Sequence, residues 1–263
     1  VTTHDHFYNS KLGAGLGLVE ETKALLDIWQ PGMEVTTLYQ AALHSGRFPN
    51  VSARRLRNIV VEGFAPRYLV NNGAPAHLLK KLEHAVTSQE LIQLLFLYTC
   101  RANPILADFV RQVYWERYTT GQESLSNHDA RGFVTQAIDD GKTRKPWSES
   151  MIKHVASYLT GCCADYGLLE NGQKSARTIL PFRLESTVAA YLAYDLHGAG
   201  LGDNSIIGHE DWALFGLERT DVRDELKRLA LKGYVIVQAA GEVIRIDWRY
   251  PSMEAFTDVI AQS

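Results

Sequence analysis

Residues 34–63 read EVTTLYQAALHSGRFPNVSARRLRNIVVEG, and the fold class turns on how this stretch divides. Glu34 to about His44 reads as one helix. The loop SGRFPNV follows, and Ser52 is a good N-cap for the next helix, SARRLRNIVVEG, because its hydroxyl can take up a free amide of the first turn. At about 100° per residue Leu56, Ile59, Val60 and Gly63 share one face. Arg54 and Asn58 stand opposite, with Arg55 and Arg57 on the flanks. A helix, a loop and a second helix with arginines in its first turns is arranged like a helix-turn-helix, whose second helix presents its N-terminal residues to the major groove. Arginine pairs bidentately with guanine or clamps phosphate, and the free amides of a helix start favour phosphate as well. Cations near a helix start oppose the macrodipole by roughly 0.3–1 kcal/mol. A helix that tolerates this suggests a purpose; the competing reading is an ordinary solvated arginine face.

Outward from this stretch, Leu16 to about Pro181 is patterned for helices, with apolar residues three and four apart and loops marked by Gly, Pro and Asn. Helices are predicted from Leu18 to Trp29, stopped by Pro31-Gly32, and from Ala74 to His84, Ser88 to Cys100, Pro104 to Tyr118, Ser126 to Asp139 and Ser148 to Tyr166. In the last of these Ile152, Val155, Ala156, Leu159, Cys163 and Tyr166 form one stripe. Beyond Pro181 the pattern changes. Ser186 to His197 is helical, GAGLGDNS is a loop, HEDWALFG can make a short helix, and Thr220 caps a helix burying Val222, Leu226 and Leu229. YVIVQ and VIRIDW, joined by AAGE, read as a hairpin. Helix, short helix, helix, two-stranded ribbon is the order of a winged helix. The fold class expected is therefore mainly α, a helical bundle with a helix-turn-helix-like unit in residues 1–85, a helical core in 86–183 and a winged-helix-like module with a small β-hairpin in 184–263.

Composition fits a globular chain of one to three domains: 263 residues, 46% hydrophobic, 22% charged. The formal charge of −3 argues against a uniformly basic nucleic-acid binder. It is a cancellation, however: residues 44–82 carry +6 and 142–183 carry +4, against −3, −4 and −6 in 1–43, 83–141 and 184–263. Local distribution governs steering more than the total does. Lys142, Arg144 and Lys145, before Pro146-Trp147, form the second basic patch; the alternative is a solvated interhelical loop. The helix after Thr220 mixes Arg219, Arg223, Lys227 and Arg228 with Asp221, Asp224 and Glu225. Carboxylates there repel a phosphate backbone, which favours a structural or protein-docking role for that module.

Three cysteines, two adjacent, exclude a disulfide framework and a Cys-x-x-Cys zinc knuckle, and a reduced cytoplasm is the expected compartment. Leu91 to Tyr98 is far short of the roughly 20 residues that span a bilayer, so no membrane association is expected. VTTHDHFYNSK lacks the basic region and apolar run of a secretory signal. GAGLG occurs at Gly13–Gly17 and Gly198–Gly202, but Leu18 and Asp203 stand where a dinucleotide fingerprint requires its last glycine. His4-Asp5-His6 and His209-Glu210-Asp211 read as solvated polar residues rather than metal ligands. Without a Walker loop, H-E-x-x-H or G-x-S-x-G, no enzyme activity and no cofactor are expected.

The stretches GLGLVEETKALLDIW, SARRLRNIVVEGFAPRYL, LLFLYTCRANPILADFVRQVYWERY and WSESMIKHVASYLTGCCADYGLL, in this order and spacing, resemble the BrxA family of BREX bacteriophage-exclusion systems. The resemblance covers roughly residues 11–183. It implies a non-enzymatic, mostly helical cytoplasmic protein that binds DNA and supports phage restriction beside a methyltransferase, an ATPase and a phosphatase-like protein; double-stranded DNA is the partner expected here. It supplies no set of functional residues. Helix geometry nominates Arg47, Ser52, Arg54, Arg55, Arg57 and Asn58 as the DNA-facing set, with Arg67, Lys142, Arg144 and Lys145 as auxiliaries. A scaffold whose basic faces dock acidic surfaces of other BREX proteins is the alternative.

Overall fold

The computed structural model describes residues 7–10, 12, 18–172, 175–240 and 243–262. The chain is mainly α-helical, as the periodicity predicts, and forms two compact units: residues 1–77 with 95–182, and residues 78–94 with 183–263. The three segments read from the sequence thus regroup, because the stretch 78–94 packs with the C-terminal residues.

In the first unit, α1 (Val19–Ile28), α2 (Val35–His44) and α3 (Ala53–Asn58) come first. Leu25, Leu26 and Trp29 are buried, and Gly32, at a φ of 81°, makes the turn that ends this first helical stretch. Ser52 caps α3, its hydroxyl accepting from the Arg55 amide at 3.3 Å. The helix then widens into a π-helical segment, Ile59–Phe64, before α4 (Ala65–Tyr68). Two local causes are visible. Pro66 cannot donate to a regular ladder and its ring crowds the preceding turn. The buried series Leu56, Val60, Phe64, Tyr68 also has a spacing of four, which a straight helix would rotate away from the core and a π segment holds in place. Gly73, at a φ of 78°, lies so close to the Trp29 ring that a Cβ would fall 2.6 Å from it.

Helix α5 (Ala74–Leu82) and α6 (Ser88–Ala102) pass from one unit to the other. α7 (Pro104–Phe109) continues through a second π-helical segment, Val110–Tyr114, into α8 (Trp115–Thr119). β1 (Ser124–Ser126) leads into α9 (Asn127–Asp139), which packs on α10 (Glu149–Asp165). β2 (Ala176–Thr178) returns to pair antiparallel with β1, Leu125 opposite Arg177. Ser126 and Asp129 form a reciprocal capping box, and Asp129 also takes a 2.7 Å ion pair from Arg117. Burial opposes ionisation of Asp129, but the Ser126 hydrogen bonds and the Arg117 charge outweigh it and hold the carboxyl below its ordinary range. The predicted α10 stripe is observed, with Val155, Ala156, Leu159, Cys163 and Tyr166 buried and Ile152 half-buried.

The second unit contains α11 (Ser186–Gly198), α12 (Asp203–Ile207), a 3₁₀ turn (Glu210–Phe215), α13 (Arg219–Leu231), the antiparallel β3 (Val235–Ala240) and β4 (Val243–Trp248), and α14 (Met253–Ala261). α11 packs on α13 and α14, α12 on β4, and α13 on β3. Tyr194 organises the centre: its hydroxyl donates to the Tyr234 carbonyl at 2.7 Å and accepts from the Arg249 and Tyr250 amides, while its ring stacks on Phe256 at 4.6 Å. Three details differ from the sequence reading. GAGLGDNS is a loop only to Gly202, because Asp203 begins α12, and its carboxylate accepts from the Ile246 amide at 3.1 Å. α13 is capped by Glu218 rather than Thr220, with Asp221 closing the box at 2.9 Å. α14 is an added helix that buries Met253, Phe256 and Ile260. Among the described residues no helix is long and apolar enough to cross a membrane.

Candidate nucleic-acid interface

The first three helices position the basic residues. α2 and α3 pack together, with Leu38 and Leu56 buried and the Tyr39 hydroxyl donating to the Ala53 carbonyl at 3.3 Å. This leaves Arg54, Arg55 and Arg57 exposed on the first turns of α3, without a carboxylate partner among the described residues. Ser52 is exposed as well, but its oxygen is engaged in the cap, so its role is to fix the turn that carries the arginines. Asn58 is half-buried. Arg47, in the α2–α3 loop, is ion-paired with Asp27, and its side chain remains 50% exposed. A phosphate reaching Arg47 therefore competes with that carboxylate.

Arg67 is a correction. The sequence reading makes it an auxiliary phosphate contact, yet it is 3% exposed. The reason is its place along the helix: eleven residues after Leu56 it falls about 20° from that buried side chain at 100° per residue, on the inner face with Ile59 and Gly63, and the guanidinium lies among Tyr68, Tyr166 and Cys162. It belongs to the core of the unit rather than to its surface.

The second basic patch divides in two. Lys142 is half-buried and holds the N-terminal segment, its Nζ lying 3.6 Å from Asp108 and 5.5 Å from the centre of the Tyr8 ring. The Tyr8 amide donates to the Lys142 carbonyl at 2.7 Å and its hydroxyl donates to Asp108. Burial and then Asp108 push that hydroxyl upward, so it stays protonated. Arg144 and Lys145 are exposed, and the Arg144 guanidinium lies 5.9 Å from the Phe7 ring.

On α13 two of the four cations are paired within the helix. Lys227 pairs with Asp224 at 2.8 Å and Arg228 with the buried Glu225 at 2.9 Å, while Arg219 donates to the Asn204 carbonyl and side chain. The Lys227 hydrogen bond and charge hold the exposed Asp224 carboxyl below its ordinary value. On the outer face of the same helix Leu231 is 90% exposed.

Other motifs resolve into architecture. The second GAGLG ends α11 and starts α12, turning at Gly200 with a φ of 85°. His209 caps the 3₁₀ turn by accepting from the Asp211 amide. His4-Asp5-His6 and the first GAGLG lie outside the described residues. All three cysteines are buried, and burial raises the Cys162 thiol to about 12, which leaves it unreactive. A cleft of about 440 Å³ lined by Glu116, Arg117, Gln122, His128, Asp129 and Phe133 was not anticipated. Its central arginine is held by Asp129 and Gln122, both at 2.7 Å, so its charge is spent internally.

A family model, BrxA, matches residues 6–195. No curated protein matches. Among solved structures the chain is similar to the crystal structure of an uncharacterized protein from Magnetospirillum magneticum, with a TM-score of 0.58 and 15% identity over 72% of this chain and 94% of that one. At that identity the likeness is one of fold.

Proposed function

Because this chain belongs to the BrxA family and so is a component of a BREX phage-defence system, we propose that it is that system's non-enzymatic, cytoplasmic accessory protein for double-stranded DNA. The observation that carries this reading is α3, where Arg54, Arg55 and Arg57 are exposed and carry no carboxylate partner among the described residues. Arg47 adds a contact once it leaves Asp27, and Arg144 and Lys145 supply auxiliary charge. Phosphate contacts position a protein without reading sequence. Binding is accordingly weak in sequence preference and strong in salt dependence, each phosphate contact adding about 0.9 to the slope of log affinity against log salt.

Fluorescence anisotropy with a labelled duplex tests this. The parent binds at low salt, and Arg54→Glu with Arg57→Glu lowers the affinity and reduces the salt slope by about 2. Unchanged affinity and slope remove α3 from the interface.

A second reading has its own observation: α13 pairs Lys227 and Arg228 with its own carboxylates and exposes Leu231, features suited to a protein partner. On that reading the winged-helix-like module docks the methyltransferase, ATPase or phosphatase-like protein of the same system. Co-purification of one of these after nuclease treatment, abolished by Leu231→Asp, supports it.

A further inference from the structure

The packed stripe of α10 leaves a second line of residues facing solvent. At 100° per residue Met151, His154 and Tyr158, spaced i, i+3 and i+7, align along one edge of the outer face. Met151 is 36% exposed, His154 is exposed and Tyr158 half-buried. The His154 and Tyr158 rings lie within 18° of parallel at 6.3 Å. The half-buried Trp147 immediately precedes the Ser148 cap, and Arg144 and Lys145 lead into it. Lys153 engages Glu149 at 3.3 Å, so the acidic group of the first turn is offset.

A row of flat and polarisable side chains open to solvent, on a helix led into by exposed cations, has a defined complement. Stacking needs the face of a base, and a duplex hides its base faces inside the helix. Single strands present them, and aromatic platforms beside a cationic track are how proteins hold such strands without reading sequence. We propose that the Met151–His154–Tyr158 ridge of α10 is a stacking platform for unpaired nucleobases, with Arg144 and Lys145 holding the phosphates of the same single strand. This goes beyond the duplex reading, which rests on α3, and shares with it only the two auxiliary cations.

The test uses the full chain with a labelled twelve-nucleotide oligo-dT and, in parallel, a labelled duplex. The parent binds the oligo-dT. His154→Ser with Tyr158→Ser weakens that binding at least about five-fold, the low end of one lost base stack, while duplex affinity stays within two-fold. Tyr158→Phe, which keeps the ring, binds oligo-dT like the parent. His154→Ala, a change at an exposed position, gives a partial loss and keeps the test decisive if the double variant fails to fold. Arg54→Glu with Arg57→Glu leaves oligo-dT binding in place. The proposal is overturned if the parent does not bind oligo-dT, if the ring-deleted variants bind it as the parent does, or if Tyr158→Phe loses as much as His154→Ser with Tyr158→Ser. Loss of oligo-dT binding in the α3 variant also overturns it, because both strands would then use one surface.

Discussion

α3 and α13 each follow another helix in a turn-linked arrangement, and each carries several arginines, yet they treat those charges in opposite ways. On α3 the cap is a neutral serine, no acidic residue stands in the first turn, and three guanidiniums face water without carboxylate partners among the described residues. On α13 the cap is Glu218 with Asp221, and Lys227 and Arg228 pair with carboxylates one turn away. The number of cations does not identify a phosphate-binding helix. What does is whether those cations have been satisfied before the ligand arrives, since a paired cation must give up one partner to take another.

The largest expected effect follows directly. Replacing Arg54, Arg55 and Arg57 together by Ala removes about 2.7 from the salt slope and lowers duplex affinity at about 50 mM salt by roughly 100-fold or more; anisotropy across a salt series measures both. Next comes the cap. Ser52→Ala destabilises the protein by about 1 kcal/mol, seen as a lower melting temperature, and also weakens duplex binding because the arginine-bearing turn frays. The counterpart on α13 is smaller still: Arg223→Ala with Lys227→Ala shifts duplex affinity by less than about two-fold. A loss comparable to that on α3 breaks the comparison and makes α13 a DNA helix. Leu231→Lys is the smallest, within about 0.5 kcal/mol of parental stability by chemical denaturation, since a side chain already 90% exposed loses little packing.

The elements that could be read from the sequence are those whose signals are local. Ser52 followed by Leu56, Ile59, Val60 and Gly63 at helical spacing announces α3, and the α10 stripe announces its packed face. Pairings across long separations carry no local signal: β1 meets β2 from 50 residues away, and Arg47 meets Asp27 across 20. The burial of Arg67 could be read from the same periodicity, since eleven residues after Leu56 it falls about 20° from that side chain; its charge alone places it with the exposed arginines. α12 is too short for periodicity, and α14 lies beyond the hairpin that completes the winged-helix order. The outer ridge of α10 is present in the sequence as Met151-x-x-His154-x-x-x-Tyr158, but a search for the buried stripe passes over the exposed one.

The regrouping of residues 78–94 with the C-terminal stretch has a consequence for how the protein is made. Gln93 donates to the Arg183 carbonyl and accepts from the Glu185 amide, and Lys81 pairs with Asp258 at 2.7 Å. On the ribosome, at about 5–20 residues per second, roughly 4–18 seconds separate the emergence of Gln93 from that of its first partners. The first unit is interrupted by this insertion and can close while the inserted turns wait with an incomplete core. A chain released before Arg183 would hold that waiting segment with its apolar face uncovered, a natural target for chaperones and proteases, so the second unit finishes folding only after synthesis has carried the chain as far as α14.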